Sequence, residues 1–158
     1  MNYDMEDLLA DIEALMKANL NAKIGAINTE KSDSITLATI DSNAYIFQTL
    51  DEKVMNFDPF VFYGIGSSVE AEGIGRAVSK KIAIDVAIIS FDLNKPDIGK
   101  RYIRYNRAIE EVFLEGWETF SNNAVKLKVR SPVLLDFSLL NNSDPFRVIG
   151  VELEANIG

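Results

Sequence analysis

Apolar residues recur at steps of three and four near the start of the chain, the spacing of an amphipathic helix. They are Leu8, Leu9, Ile12, Leu15, Met16 and Leu20. The pattern predicts a helix from Asp4 to about Leu20, with Asp4 as a candidate N-cap. Beyond it, Asn19, Asn21 and Gly25 weaken the pattern, so residues 22–28 are either a connector or one more helical turn.

Runs of β-branched and aromatic residues then predict several strands. Residues 35–40 and 44–50 flank the turn residues 41–43, which predicts a hairpin. Residues 59–66 and 81–91 predict two further strands. In the second of these, Ile82, Ile84, Val86 and Ile88 alternate with Ala83, Asp85 and Ala87. This alternation is typical of a long central strand.

A second helix is predicted from Ile98 to about Phe120, after the turn residues 94–97, with Asp97 as its cap. Its apolar face comprises Tyr102, Tyr105, Ile109, Val112, Phe113, Trp117 and Phe120. Alternation then predicts a half-buried strand over residues 125–130, and Pro132 marks a bend, a bulge or a sheet edge there. A last strand is expected from Arg147 to about Ala155.

This order of elements favours an α+β fold, because runs of strands replace strict βαβ alternation. We expect an antiparallel or mixed sheet with two main helices packed on one face. No repeat, low-complexity tract or linker interrupts the chain, which predicts a single domain over residues 1–158.

Composition narrows the chemistry that the chain can perform. The 158 residues contain neither cysteine nor histidine, which excludes disulfides, thiolate and imidazole metal ligands, and Ser-His or Cys-His nucleophile pairs. Any catalysis would depend on carboxylates, lysine or tyrosine. We therefore expect no enzyme activity, no cofactor and no metal.

Charge and hydropathy indicate whether the chain binds nucleic acid or enters a membrane. A formal net charge of -8 repels a phosphate backbone, so general affinity for nucleic acid is not expected. The basic stripe Lys126, Lys128 and Arg130 is read as a solvated strand face or a protein contact. The first residues lack the features of a signal peptide, and no stretch approaches 18 apolar residues, so we expect no membrane span.

A glycine-rich stretch follows the strand at residues 59–66. It contains Gly64, Gly66, Gly73 and Gly75. The spacing fits neither a P-loop nor a dinucleotide-binding loop, and a strand follows it instead of a helix. Residues 64–81 are therefore predicted to form an extended hairpin arm, and these glycines are candidate subunit-interface positions.

The second helix has an unusual order of charges. Its first half contains Lys100, Arg101, Arg104 and Arg107, and its second half contains Glu110, Glu111, Glu115 and Glu118. This order opposes the helix dipole. Two interpretations stay open: an ordinary charged surface, or a subunit interface at which the four basic residues meet acids of another copy. Asp85, within an apolar strand, is a weak candidate for catalysis because it has no evident partner.

Several phrases of the sequence resemble a known family of structural proteins. They are IGAINTE at residues 24–30, LATID at 37–41 followed by AY at 44–45, PFVFY at 59–63, and RYIRYNRAI at 101–109. Together with the order of elements, they resemble the tail-completion or tail-terminator proteins of tailed bacteriophages, which belong to the neck of the virion.

The resemblance implies a homo-oligomeric ring, commonly a hexamer, that caps the tail tube and joins it to the head-side connector proteins. It implies a virion protein assembled in the host cytoplasm, through which DNA passes without specific binding, and no membrane partner. It supplies no catalytic residues. The alternatives are another neck role such as a head-tail stopper, a tail-tube subunit, or a small carboxylate-based enzyme or ligand-binding domain.

Overall fold

A computed structural model describes residues 3–47, 56–74, 77–90, 97–120, 122, 125–136 and 147–157 of the chain; at 67–74, 77–79, 136 and 147 it describes the backbone alone. Within these ranges the elements are helix α1 (Met5–Lys31), strands β1 (Tyr45–Phe47), β2 (Phe60–Ile74) and β3 (Ala77–Ile89), helix α2 (Ile98–Gly116), a 3₁₀ turn (Trp117–Thr119), and strands β4 (Lys126–Asp136) and β5 (Arg147–Ile157). The α+β class with two helices and a mixed sheet is confirmed.

The sheet has the strand order β1-β2-β3-β5-β4. β1 runs parallel to β2, and the other neighbours are antiparallel. β3 lies at the centre, as its alternation predicted: its residues Ile82, Ile84, Val86 and Ile88 are at most 1% exposed. They belong to one core cluster that also contains the buried faces of both helices. Both helices therefore share a core with the same face of the sheet.

Helix α1 begins as predicted but ends later. Asp4 accepts a hydrogen bond from the Asp7 backbone, and the Asp7 side chain accepts one from the Asp4 backbone, which forms a capping box. The helix continues 11 residues beyond Leu20 to Lys31, because Ile24 and Ile27 extend its buried face. It ends at Ser32, whose φ of 48° breaks the helical path.

The predicted hairpin over residues 35–50 is wrong. Residues 35–40 have an extended backbone outside any strand, and only Tyr45–Phe47 enters the sheet, where it pairs in parallel with β2. Burial explains the strand-like sequence, since Ile35, Leu37 and Ile40 are at most 5% exposed. Side chains from the two helices, described below, take the place of a partner strand. Residues 48–50 lie outside the described residues.

The later elements follow the sequence pattern closely. α2 begins at Ile98, although the Asp97 side chain makes no capping hydrogen bond, and it gives way to the 3₁₀ turn at Trp117. β4 is longer than predicted and pairs only with β5 among the described strands, so it is an edge strand. Its register shifts between Arg130 and Val133, which places the predicted irregularity at Pro132.

Candidate functional site

The β2–β3 hairpin contains the glycines that were predicted to lie in an interface. Its rungs run from Phe60 opposite Ile89 to Ile74 opposite Ala77, and β5 accompanies β3 only as far as Lys80, opposite Ile157. The last three rungs, from Glu72 opposite Ser79 outward, therefore pair only with each other among the described residues. At about 3.3 Å per residue, this ribbon projects roughly 10 Å past the end of β5.

The glycines occupy different parts of this hairpin. Gly64 is buried opposite Asp85 in the body of the sheet. Gly66 lies where the register shifts between Ile65 and Val69, in contact range of Ala83 and Asp85. Of the four, Gly73 lies in the projecting ribbon, opposite Val78. Gly75 lies outside the described residues.

A charged row crosses the sheet on the side away from the helices. Gly64, Asp85, Glu152 and Arg130 are successive neighbours on β2, β3, β5 and β4. The Arg130 guanidinium lies 3.7 Å from Glu152 and 3.1 Å from Glu154, and the Lys81 ammonium lies 3.4 Å from Glu154. Beside this row the same face also holds the buried apolar residues Phe60, Ala87 and Ile89, whereas the opposite face packs against both helices.

Asp85 is the acid of this row without a cationic partner in the described residues. Burial raises the pKa of its carboxyl group, and the negative charge of Glu152 raises it further. Arg130 compensates Glu152 and Glu154 instead. The raised pKa therefore reflects an electrostatic penalty within the sheet, and among the described residues no second positioned group supports an acid-base function for Asp85.

The basic stripe lies on the edge strand. Lys126, Lys128 and Arg130 are exposed, opposite Asn156, Glu154 and Glu152 of β5. Exposed lysines, a register shift and Pro132 are features by which proteins discourage unwanted pairing at a sheet edge. This arrangement favours the interpretation of the stripe as a solvated strand face.

Arg104 of α2 is bound within the chain. Its side chain is 11% exposed, and its two terminal nitrogens lie 2.9 and 2.5 Å from the carboxylate oxygens of Asp33. It also donates to the Ile35 carbonyl oxygen at 3.1 Å. The hydrogen bonds from Arg104 hold the pKa of Asp33 well below its usual range. Arg104 therefore fastens the segment that follows α1 to the first half of α2.

Arg107 makes a similar connection one turn later. It donates to both carboxylate oxygens of Glu30, at 2.9 and 2.7 Å, and to Glu111 at 2.8 Å. The hydrogen bonds from Arg107 to Glu30 lower the pKa of Glu30 to about 2. Arg101 donates to the Thr36 carbonyl oxygen at 2.8 Å. Lys100 is exposed and, in the described part of the chain, forms no salt bridge.

These contacts correct one expectation about the reversed charge order. The acids that Arg104 and Arg107 meet belong to the end of α1 in the same chain, so a second copy is not required to explain either arginine. The two helices run antiparallel, which brings the basic half of α2 to the carboxyl end of α1. There Glu30 and Asp33 supply the negative charge that a basic cluster needs.

Residues 33–40, which we name the clamped segment, were not recognised from the sequence. Asn28 of α1 donates to the Leu37 carbonyl oxygen at 2.9 Å and accepts from the Leu37 amide at 2.8 Å. Asn21 makes the same pair of bonds with Ile40, at 2.9 and 2.8 Å. The Tyr105 hydroxyl donates to the Ala38 carbonyl oxygen at 3.0 Å. Side chains thus satisfy backbone groups that a sheet would otherwise pair.

A cluster at the β1 edge contains the residue types left for catalysis. The Lys17 ammonium lies 2.5 Å from Glu13 and 5.5 Å from the centre of the Tyr45 ring, and the Tyr63 hydroxyl donates to Glu13. Burial raises the pKa of Tyr45 to about 12, and burial followed by the Glu13 hydrogen bond raises that of Tyr63. The pKa of Glu13 is lowered, since bonds from Lys17 and Tyr63 outweigh its burial. Each of these changes moves a pKa further from pH 7, so none of the three groups is suited to exchange protons at neutral pH. The cluster therefore favours a structural role.

The remaining features of the described residues add little chemistry. A pocket near the end of α2 is lined by Trp117, Glu118, Phe120, Asn122 and Val125, so it contains one carboxylate. In the described ranges, no three acidic side chains come together closely enough to hold a metal ion. None of the described helices has the length and apolar character needed to cross a bilayer.

No protein-family model matches the chain, and no curated protein matches it.

Proposed function

We propose that this chain is a structural subunit of a tailed bacteriophage, a tail terminator whose copies form a ring that caps the tail tube. In this role it joins the tube to the head-side connector and catalyses no reaction. The sequence resemblance to tail-completion proteins supplies the identity of the assembly. The projecting β2–β3 ribbon is the structural observation that supports it best.

The ribbon is evidence for subunit assembly because its two strands extend beyond the other strands of the sheet. From Glu72 opposite Ser79 outward, the rungs have no third strand among the described residues. Isolated two-stranded ribbons are marginally stable in water. A neighbouring subunit that packs against the ribbon would bury it, and repetition of that head-to-tail contact closes a ring when the rotation between subunits permits it.

The two faces of the sheet support the same proposal. Both helices pack on one face, while the other carries the ionic row that includes Asp85, Glu152 and Arg130 beside buried apolar residues such as Phe60 and Ile89. A subunit built in this way has an ionic surface that can face a channel or a neighbour. The net charge of -8 suits a channel through which DNA slides without being held.

The test is whether the full chain forms closed rings, examined by native mass spectrometry and by negative-stain electron microscopy. Both are applied to the protein alone and with tail tubes assembled from the tube protein encoded in the same genome. We expect rings of one size, seated on tube ends when tubes are present. A chain that stays monomeric with tubes and binds none of them would overturn the proposal.

A ribbon variant examines the role of the arm. Residues 72–79 are replaced by a two-residue Asn-Gly turn, which shortens the hairpin without reaching the rungs that β5 supports. We expect an unchanged circular dichroism spectrum and no rings. A matched control, Lys126→Ser with Lys128→Ser on the edge strand β4, should still form rings. Rings of the shortened variant would assign the subunit contact to another surface.

A further inference from the structure

The exposed surface of α2 has a ridge of side chains in which large apolar residues lie towards both ends. Five large hydrophobic side chains among the described residues are exposed, and three of them, Ile103, Leu114 and Trp117, lie on α2 or the turn that follows it. Ile103 is 59% exposed and Leu114 is 56% exposed. Scattered single side chains of this kind are common on surfaces, whereas a concentration on one face of one helix indicates a contact.

The spacing of the ridge is that of a helix-packing seam. Ile103, Arg107, Glu110, Leu114 and Trp117 follow each other at steps of four and three. This alternation keeps one line of side chains facing a partner helix. Lys100 and Glu118, at opposite ends, are exposed, and neither forms a salt bridge in the described part of the chain. The ridge is therefore basic at one end and acidic at the other, and between these ends the apolar residues Ile103, Leu114 and Trp117 lie on either side of the charged residues Arg107 and Glu110.

We propose that this ridge packs against the same ridge of a second copy of the chain, antiparallel across a two-fold axis. The axis passes near the midpoint between Ala108 and Ile109. Ile103 of each copy then lies opposite Leu114 of the other, and Lys100 of each copy lies near Glu118 of the other. The reversed charge order that opposes the dipole of α2 becomes self-complementary in this arrangement.

In this arrangement α2 keeps its contacts with α1, in which Lys23 binds Glu115. Arg107 remains bound to Glu30 and Glu111 of its own chain, and Glu110 of the second copy adds a further acid beside it. One helix pair buries less than the roughly 1,000 Å² expected of a stable interface. The dimer is therefore weak, and it is distinct from the head-to-tail contacts of a ring.

Sedimentation velocity of the full chain tests the proposal, from about 1 μM to about 1 mM, the range in which such an interface shows concentration-dependent association. We expect reversible dimers whose dissociation constant rises about tenfold or more in Leu114→Glu and in Ile103→Glu. A control at an exposed α1 position away from the ridge, Glu6→Gln, should leave it unchanged. Absence of dimers at the highest concentration, or equal dimerisation of the ridge variants, would overturn the proposal.

Charge reversal gives a sharper outcome. Lys100→Glu alone and Glu118→Lys alone each place like charges together twice per dimer and should weaken it. A mixture of these two variants restores both pairs, so mixed dimers should form where neither variant dimerises well alone. Failure of the mixture to exceed the separate variants would show that these residues do not meet. Leu114→Glu should leave rings intact and the shortened ribbon should leave the dimer intact, so the two proposals fail separately.

Discussion

Asn28 and Leu37 exchange two hydrogen bonds, the Asn28 side chain acting towards the Leu37 backbone as a neighbouring strand would. Asn28→Ala leaves the amide and carbonyl of Leu37 without these partners in a residue that is 2% exposed. We expect the free energy of unfolding to fall by about 2 kcal/mol or more. Urea denaturation followed by circular dichroism measures it.

The matched control for this substitution is Asn19→Ala. The Asn19 side chain donates to the Leu15 carbonyl oxygen within the same helix, and alanine favours the helix. Its effect should stay within about 0.5 kcal/mol. Equal effects of the two substitutions would show that the Asn28 clamp contributes nothing beyond helix propensity.

Acid should loosen the connection between α1 and α2. The pKa of Glu30 in the folded protein, about 2, lies below the ordinary glutamate value of 4.5, because Arg107 donates to the ionised carboxylate. The pair therefore stabilises the fold above pH about 4.5, and this stabilisation declines as the pH falls towards about 2. Asp33 acts in the same direction through Arg104.

Melting temperatures of the wild type and Glu30→Gln, measured across this pH range, test the connection. The variant should melt at a lower temperature at pH 7 and approach the wild type as the pH falls. Glu6→Gln, at an exposed acid without a salt bridge in the described part of the chain, should follow the wild type throughout. A constant difference between Glu30→Gln and the wild type would contradict the expected linkage.

The contribution of Asp85 to the stability of the fold should change with pH in the opposite direction. Burial and the charge of Glu152 raise its pKa in the folded protein. The ionised carboxylate consequently destabilises the fold at pH values above its folded pKa, and the penalty disappears below its unfolded pKa of about 3.9. Asp85→Asn should raise the melting temperature at pH 7 and have little effect near pH 3. Destabilisation at pH 7 would indicate a favourable role for the charge.

Two glycines give a matched pair of alanine substitutions. At Gly25, on the exposed face of α1, an added Cβ meets nothing within 4 Å. At Gly150 of β5, it would lie 2.6 Å from the Val86 carbonyl oxygen and 2.9 Å from a Leu135 methyl group. Gly25→Ala should stabilise by about 0.5–1 kcal/mol, and Gly150→Ala should destabilise by about 1–3 kcal/mol. Urea midpoints that moved the same way would contradict this contrast.

The sequence predicts correctly those features that depend on residues close together in the chain. The capping box at Asp4, the alternation of Ile82 and Ile84 in β3, and the irregularity at Pro132 all follow from short-range chemistry. The class of the fold follows from the order of these elements.

The errors arose where long-range contacts decide the structure. Residues 35–40 have the composition of a strand, but their backbone partners are side chains of Asn21, Asn28, Arg101, Arg104 and Tyr105. Asn21 weakens the apolar pattern of α1, although it is one of the residues that hold the segment. The order of charges on α2 was visible in the sequence, whereas the location of Glu30 and Asp33 beside it depends on the antiparallel packing of the helices.

The clamped segment also orders the steps by which the chain can fold. Its bonds to Asn28 and Asn21 join residues 9 and 19 positions apart, whereas its bonds to Arg101, Tyr105 and Arg104 span 65 to 71 positions. Short loops close at a lower entropic cost, so α1 and the segment can associate before α2 docks. Once α2 is in place, its arginines join the segment to the later part of the chain. Amide exchange at Leu37 and Ile40, which donate to Asn28 and Asn21, then reports the release of the segment from α1.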